Sequence, residues 1–546
     1  VDQSVNTETR EEAAAGVEPE EPRALTERGW FRAACFAVAA VITALIVRMG
    51  FAGVPDPDSF YHFRHAALYA ERGVTMSAFP WLVYSVISRY ASDVGYGFHL
   101  LLVPFTFVRD PVLGVRLAAA FEIALIMVLF YWVMRRHRIA YAFAWPYLLV
   151  FFAPAIVYTV MQTRPQTLTM GFAALLLSFL LSGSPWGVFA ASGALTFFHL
   201  NAAAVVPAVV AVTAAVQGLV ERRWEWRKWA AAALGVGVGL ALRPNVIGTV
   251  RLLYVQTVVH EIARQRHLPL LFGREWAPVS PAAVAGFSYV LLIWAAMIVV
   301  FLVAVGRKAL TKEDRTFLWT SLLLSAGCLA AAMLVTKRMV PLWAAFSVMF
   351  VAKTFSSLLD PRDRRPGRLV GDDARLIAAL SMGVLLVVMV GSGVNQVVLQ
   401  RGWGGGRADR LRAAAEWIGS HGRKGDIVYN VDWGAFPELF FWNTKQYYVS
   451  GLDVIFLYAY DEGLYWKAHH LATGEATART WGTMERPADG GEDTYTVLRQ
   501  DFKASYVVLD EQRNAALYDS LNRDRRYQLG FDDGYTAVFA VGENLR

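Results

Sequence analysis

Residues 33–64 read AACFAVAAVITALIVRMGFAGVPDPDSFYHFR. The first part of this stretch, residues 33–52, is long and apolar enough to cross a bilayer, which takes roughly 17–25 residues as a helix. Directly after it, Val54 to Arg64 crowd two carboxylates, an imidazole and a guanidinium into a few positions. A chain that has just left a membrane has no packing use for such a cluster. An aspartate pair can take a proton or bind a divalent cation, and an arginine can hold a phosphate. The stretch therefore predicts a membrane protein with chemistry at the membrane surface, directed at an anionic substrate.

The rest of the chain supports this reading. Apolar residues make up 56% of the 546 residues and charged residues only 18%, where a soluble chain carries about one quarter charged. The apolar residues fall in blocks rather than at amphipathic spacing, which predicts a polytopic helical protein. Eleven candidate spans lie near 33–52, 111–134, 139–160, 167–183, 187–198, 201–220, 229–246, 281–305, 316–336, 339–356 and 376–399. Cys35 and Cys328 both fall inside apolar runs, so no disulfide or cysteine-based metal site is expected. Residues 1–32 are mainly hydrophilic and acidic and predict a disordered cytoplasmic tail without a signal peptide.

Basic loops set the orientation. With the N-terminus in the cytoplasm, Arg135-Arg136-His137-Arg138, Arg222-Arg223, Arg227-Lys228, Arg307-Lys308, Lys312, Arg362, Arg364, Arg365 and Arg368 all fall on the cytoplasmic side, as the positive-inside rule requires. A membrane domain over 33–399 then has large outer loops at 53–110 and 247–280. Residues 400–546 form an outer α/β domain, joined through Gly402-Trp403-Gly404-Gly405-Gly406. Within it, Ala408–Ser420 reads as a helix, and Asp426–Val431, Tyr506–Asp510 and Gly534–Val541 read as strands. In the first loop, residues 59–72 read as a helix capped by Asp58 or Ser59, and residues 99–105 as an interfacial helix.

A single acid, Glu122, falls inside the span interiors, whereas an ion-coupled relay would place several there. The unusual polar residues gather at the outer ends of spans: Asp56, Asp58, His62, Arg64, Arg164, His199, Asn201, Arg243, Lys337 and Arg338. Asp58 also suits a plain helix cap, His62 a surface histidine, Glu275 a loop acid, and Arg164 and Arg338 snorkelling ends. Four arginines on the translocated side, against the positive-inside trend, favour a phosphate or pyrophosphate ligand. No Gly-rich phosphate loop, Ser/His/Asp set, HExxH or zinc spacing is present, which argues against ATP hydrolysis.

The order of a first transmembrane helix, a large outer loop opening with Asp-rich sequence and an arginine, many further spans and a soluble C-terminal domain resembles the GT-C superfamily of membrane glycosyltransferases. Asp58, Phe60, Tyr61 and Arg64 fit the spacing of the oligosaccharyltransferase catalytic subunit within that superfamily. The oligosaccharyltransferases place further acidic ligands in the next outer loop, where this chain has Arg164-Pro165-Gln166. Of their Trp-Trp-Asp-Tyr-Gly signature it has only Asp432-Trp433-Gly434. The resemblance implies transfer of a sugar or oligosaccharide from a polyprenyl-phosphate or -pyrophosphate carrier to a glycan, lipid or protein acceptor. The setting would be the outer face of a bacterial inner membrane, with membrane lipids and no nucleic acid as partners. Asp58 and Asp56 would be the catalytic acids, and Arg64, Arg164 and Arg338 the ligands of the lipid phosphate. His62, His199, Asn201, Asp432 and Trp433 would contact substrate, the aromatic loop 436–448 would line the acceptor groove, and Asp58 with Glu275 would hold a Mg or Mn ion. The rival expectations are a lipid or polysaccharide transporter, with a polar midplane path, and a non-catalytic assembly subunit that keeps the GT-C frame.

Overall fold

The computed structural model describes residues 29–359, 372–400 and 409–542. The expectations for the tail up to residue 28, the Arg362–Arg368 cluster and the Gly402–Gly406 joint lie outside these residues. Among the described residues, eight helices are long and apolar enough to cross a membrane: Gly29–Met49, Pro111–Arg136, Pro165–Ser182, Leu200–Val220, Val246–Gln265, Ser288–Gly306, Lys312–Leu334 and Lys337–Ser357. The protein is a mainly helical, multi-pass membrane protein with a small C-terminal sheet domain.

The expected eleven spans are met only in part. The apolar run over 139–160 divides into Trp145–Val150 and Pro154–Val160, neither long enough to cross. Pro154 forces the preceding residue out of the helical region, and Ala153 is fully extended, with φ −162° and ψ 161°. Pro185–Phe198 and Trp226–Ala241 are also short. They pack closely on one another because Gly239 leaves room for Gly193: a Cβ at Gly239 would stand 2.6 Å from the Gly193 carbonyl oxygen. The outer loop expected over 247–280 instead opens with the Val246–Gln265 helix. That helix buries Leu252, Val255 and Ala263 in the same cluster as the sheet of the C-terminal domain.

The end of the first span is tied down by arginines. Arg48 is fully buried and donates 3.0 Å hydrogen bonds to the carbonyls of Phe51 and Gly53, and Arg116 donates one of 3.0 Å to Met49. These carbonyls at and just past the helix end would otherwise lack partners. The chain therefore enters the Val54–Asp58 segment on a fixed course.

The C-terminal domain carries a five-stranded sheet. Its strands are β1 (Ile427–Asn430), β2 (Tyr447–Tyr448), β5 (Ala504–Asp510), β6 (Tyr527–Asp532) and β7 (Thr536–Val541), in the order β2-β1-β5-β7-β6. Strands β3 (Arg479–Thr480) and β4 (Glu492–Asp493) form a separate antiparallel pair. β1 runs parallel to β2 and β5, and β7 is antiparallel to β5 and β6. Every residue of β7 is buried, as suits a central strand covered on both faces. Gly534, at φ +79°, turns β6 into β7.

The first long loop, between the Gly29–Met49 and Pro111–Arg136 helices, is built into this domain. Trp81 and Val83 exchange backbone hydrogen bonds of 2.7 and 3.0 Å with Tyr448, so the loop extends the sheet past β2. The indole of Trp81 donates to the Thr444 carbonyl at 2.9 Å. The aromatic stretch expected as an acceptor groove forms the buried helix Phe436–Trp442. Phe440 and Phe441 pack there against Tyr61, Phe79 and Phe60 of the first loop. It is the joint between loop and domain.

Candidate active site

The helix Asp58–Arg72 begins one residue earlier than the sequence suggests, and no side chain caps it. Asp58 sits in its first turn. Its carboxylate accepts from the Nη2 of Arg164, and Asp56 lies 3.1 Å from Arg164 Nε. Arg164 precedes Pro165, which starts the next span, and is extended at φ −143° and ψ 145°. The residue before a helix-opening proline takes this conformation, and it carries the guanidinium off the helix toward the first loop. Three bonds fix the approach. Thr163 donates from its backbone to Ser59 Oγ at 3.1 Å and from its hydroxyl to Val115 at 3.0 Å, and Tyr158 donates to Pro55 at 2.8 Å.

A second acid–base pair faces the first. Arg338 donates to Glu275 at 3.0 Å, and its guanidinium lies 3.7 Å from the centre of the Trp276 ring. Thr336 donates to the Glu275 carbonyl at 2.9 Å, and Lys337 to the Ala277 carbonyl at 2.9 Å, which holds the loop against the next span. The C-terminal domain closes this side through Asp453, which accepts from the Trp276 indole at 3.2 Å.

The four charged groups of the two pairs, with Asp56, act on one another. Arg164 and Arg338 both perturb Asp56 and Asp58, as does Glu275. Burial pushes Asp56 up to about 7 and raises Asp58, with the neighbouring carboxylates adding to the rise and Arg164 and Arg338 opposing it. Glu275 moves the other way: burial would raise it, but Arg338 and Arg164 hold it below its ordinary value. The recess stays accessible, with side-chain exposures of 22% for Asp58 and 22% for Arg338. Arg164 directs its Nε and Nη2 at the aspartates and Arg338 its Nη2 at Glu275, which leaves the Nη1 of each for a ligand. Two spare guanidinium Nη1 donors at the ends of helices suit a phosphate.

The arginine Arg64, expected to join Arg164 and Arg338, does not. It bonds Glu71 at 2.9 Å and Thr444 of the C-terminal domain at 3.2 Å. Asp432 and Trp433 are also elsewhere: Asp432 accepts from Gly434 at 2.9 Å in a tight turn and pairs with Arg513. His199 bonds Thr169 at 2.7 Å and lies within the field of Arg338 and Arg164. Asn201 follows in the Leu200–Ala204 turn, its side-chain oxygen buried without a hydrogen-bond partner. Arg243 is a buried clamp on the carbonyls of Asp93, Val94, Thr196 and Phe197. Asp453, Trp276 and Tyr158 belong to the site and were not anticipated.

Carboxylates of the kind that bind Mg or Mn are present. The guanidinium of Arg164, however, already bridges Asp56 and Asp58, and that of Arg338 engages Glu275. The protein itself supplies the positive charge that a divalent ion would bring between these acids, so no step here is routed through a metal. A separate buried group, His65, Asp93 and His99, also has ligand chemistry. There Asp93 Oδ2 already accepts from His99 and from Tyr69 at 2.8 Å.

Known structures share this architecture. The crystal structure of ArnT from Cupriavidus metallidurans in the apo state matches at 15% identity over 94% of this chain and 99% of that one, with a TM-score of 0.51. The same protein bound to undecaprenyl phosphate matches at 14% identity over 95% and 99%, with a TM-score of 0.53. Both it and arabinofuranosyltransferase AftD from Mycobacteria are GT-C glycosyltransferases. AftD matches at 15% identity and a TM-score of 0.52, over 94% of this chain and 42% of its own. The chain has the GT-C fold. No protein-family model matches its sequence, and comparison with curated proteins finds no match.

Proposed function

We propose that the recess transfers a sugar from a polyprenyl-phosphate or polyprenyl-pyrophosphate carrier to an acceptor hydroxyl or amine. The carrying observation is the convergence of Arg164 and Arg338 with Asp56, Asp58 and Glu275 at span ends. The GT-C fold, and a similar protein bound to undecaprenyl phosphate, support a polyprenyl donor. In this reading the free Nη1 donors of Arg164 and Arg338 neutralise the departing phosphate, where negative charge develops as the sugar–phosphate bond breaks. The acceptor oxygen or nitrogen bonds to the anomeric carbon, and its proton passes to the Asp58–Asp56 pair. A carboxylate raised to about 7 has the basicity a general base needs near neutral pH. Glu275 sets the position of Arg338, and the C-terminal domain covers the recess through Asp453 and Trp276.

The basic loops support an orientation with this recess and the C-terminal domain on the outer face of a bacterial inner membrane. The test is incubation of the purified protein in lipid nanodiscs with a panel of undecaprenyl-phosphate-linked sugars, followed by detection of freed undecaprenyl phosphate. Release that depends on Asp58 supports the proposal. Tight undecaprenyl phosphate binding with no turnover on any donor and acceptor pair would favour the non-catalytic subunit instead.

A further inference from the structure

The helices that lead into and out of the first long loop, Gly29–Met49 and Pro111–Arg136, border a cavity at their far ends. Along the first of them the buried residues Phe36, Ala40 and Ala44 recur every four positions and face the second. Ala44 and Ala40 are small enough for close helix packing. One turn further from the recess Phe36 takes their place, its ring stacked on Tyr131 at 4.2 Å and set edge-on to Tyr147 at 6.2 Å. Around these rings lies a cavity of about 660 Å³, within the size range of small-molecule sites. It sits at the basic-loop end of both spans, roughly 25 Å along the first helix from the end that leads to Asp56 and Asp58.

Its walls have the chemistry of a lipid headgroup site. Arg32 lines it from the first span and Arg135 from the second, and no acid is among the residues around it. Among the described residues the Arg135 guanidinium has no ion-pair or hydrogen-bond partner, and neither do the hydroxyls of Tyr131, Tyr141 and Tyr147. Tyr141 stands in the left-handed region at φ +53°, which is unfavourable for a residue with a β-carbon. Its turn is held by the Trp145 indole, which donates to the Ala140 carbonyl at 2.9 Å, and by the Ala140 amide, which donates to Ser356 at 3.0 Å. Trp30 beside the cavity and Phe143 in its wall are exposed, as aromatic rings are at headgroup level.

We propose that this cavity binds the headgroup of an acidic glycerophospholipid. Arg32 and Arg135 take its phosphate, and the tyrosine hydroxyls donate to its phosphate and glycerol oxygens. Its acyl chains run along Val38, Ile42 and Ile46, an exposed stripe of the first span at four-residue spacing. Charge and shape select this occupant. A free phosphate would leave the apolar wall and the stripe uncovered, and a polyprenyl phosphate has no glycerol oxygens for the three hydroxyls. The lipid is held rather than consumed: it bridges the first two spans and braces the helix that delivers Val54–Asp58. The site does not depend on the chemistry of the recess.

The test uses the full-length protein, stripped of lipid in detergent, and native mass spectrometry with phosphatidylglycerol, phosphatidylethanolamine or undecaprenyl phosphate added. Wild type should retain one phosphatidylglycerol per chain, in preference to phosphatidylethanolamine by about tenfold. Arg32→Gln with Arg135→Gln should weaken phosphatidylglycerol by about 10–30-fold, as expected for two arginines near a membrane surface, and should not alter undecaprenyl phosphate binding. Arg307→Gln with Lys308→Gln removes the same charge from another exposed basic loop and should change nothing. Ala39→Phe fills the cavity without altering charge and should weaken phosphatidylglycerol as well; the arginine pair, exposed at the surface, keeps the test if that variant misfolds. Three results would overturn the site. Equal loss in the Arg307 and Lys308 variant, or equal retention of phosphatidylethanolamine, would reduce the binding to diffuse attraction. Full retention by Ala39→Phe would place the lipid outside the cavity. Loss of undecaprenyl phosphate in the Arg32 and Arg135 variant would assign the cavity to the polyprenyl carrier instead.

Discussion

Replacing Arg164 with Gln removes the one guanidinium that bridges Asp56 and Asp58 and keeps much of the side-chain volume. Opposite unit charges about 4 Å apart attract by about 4 kcal/mol at an effective dielectric of about 20. The site is partly open, with the Asp58 side chain 22% exposed, and Arg338 still acts on both acids. Screening should therefore cut the loss to about 2 kcal/mol, or about 1.5 pKa units at 1.36 kcal/mol per unit. The sign follows from charge: without Arg164 the ionised carboxylates lose their counter-charge, so protonation persists to higher pH. Asp56 starts at about 7, so the effect falls in an accessible range. Infrared difference titration of the protonated carboxyl C=O band should show the midpoint displaced upward by about one to two units. Asp56→Asn should diminish the same band. The ascending limb of the pH–rate profile should move by the same amount, because the ionised pair is the base. An unmoved or lowered midpoint in a folded Arg164→Gln protein would refute the coupling between Arg164 and the acid pair.

Asp58→Asn should lower turnover by about 10²–10⁴-fold while leaving thermal unfolding and undecaprenyl phosphate binding near wild type. Arg338→Ala should weaken undecaprenyl phosphate binding in nanodiscs by about 2–4 kcal/mol, the scale for truncating a charge-assisted contact. Arg64→Ala should change that affinity by less than about 1 kcal/mol, because its partners are the exposed Glu71 and the part-buried Thr444, away from the recess. Arg48→Met leaves the buried Phe51 carbonyl and the part-buried Gly53 carbonyl without their Arg48 donor, at about 1–3 kcal/mol for the buried one, and should lower the unfolding temperature in detergent. Cysteine labelling from outside intact cells should reach Met484→Cys, which is exposed on the C-terminal domain, and should miss Arg223→Cys in a basic loop.

The contrast between Arg64 and Arg164 shows what was legible in the sequence. Both stood out as cations on the side that disfavours them, and both fitted a phosphate site. On a helix at 100° per residue, however, Arg64 points about 120° away from Asp58, whereas His62 returns to nearly the same face. Helical geometry alone favoured His62 over Arg64 as the companion of Asp58, and the structure places Arg64 on the C-terminal domain. Arg164 could not be assigned this way, since its partner Asp58 lies 106 residues away in sequence. The extended conformation of Arg164 before Pro165, with the Thr163–Ser59, Thr163–Val115 and Tyr158–Pro55 bonds, brings them together.

Apolar length had a similar limit. The spans bounded by charge, such as Pro111–Arg136 and Lys312–Leu334, were legible because lipid and a helical core demand the same residues. The Val246–Gln265 helix meets the same length and composition, yet three of its apolar residues pack with the C-terminal domain. Burial by protein and burial by lipid leave the same mark on a sequence. The Asp93–His99 pair was hidden for another reason. His99 opens the expected interfacial helix, but Asp93 lies before it, and nothing in the spacing links the two across Gly95 and Gly97. Gly95, which looks like a sign of disorder, is the residue whose missing Cβ lets His99 reach both Asp93 and His62. A Gly95→Ala protein should therefore fold but lose the aligned His62–His99 contact. If its nitrogen-15 histidine spectra match wild type, the glycine serves the turn alone.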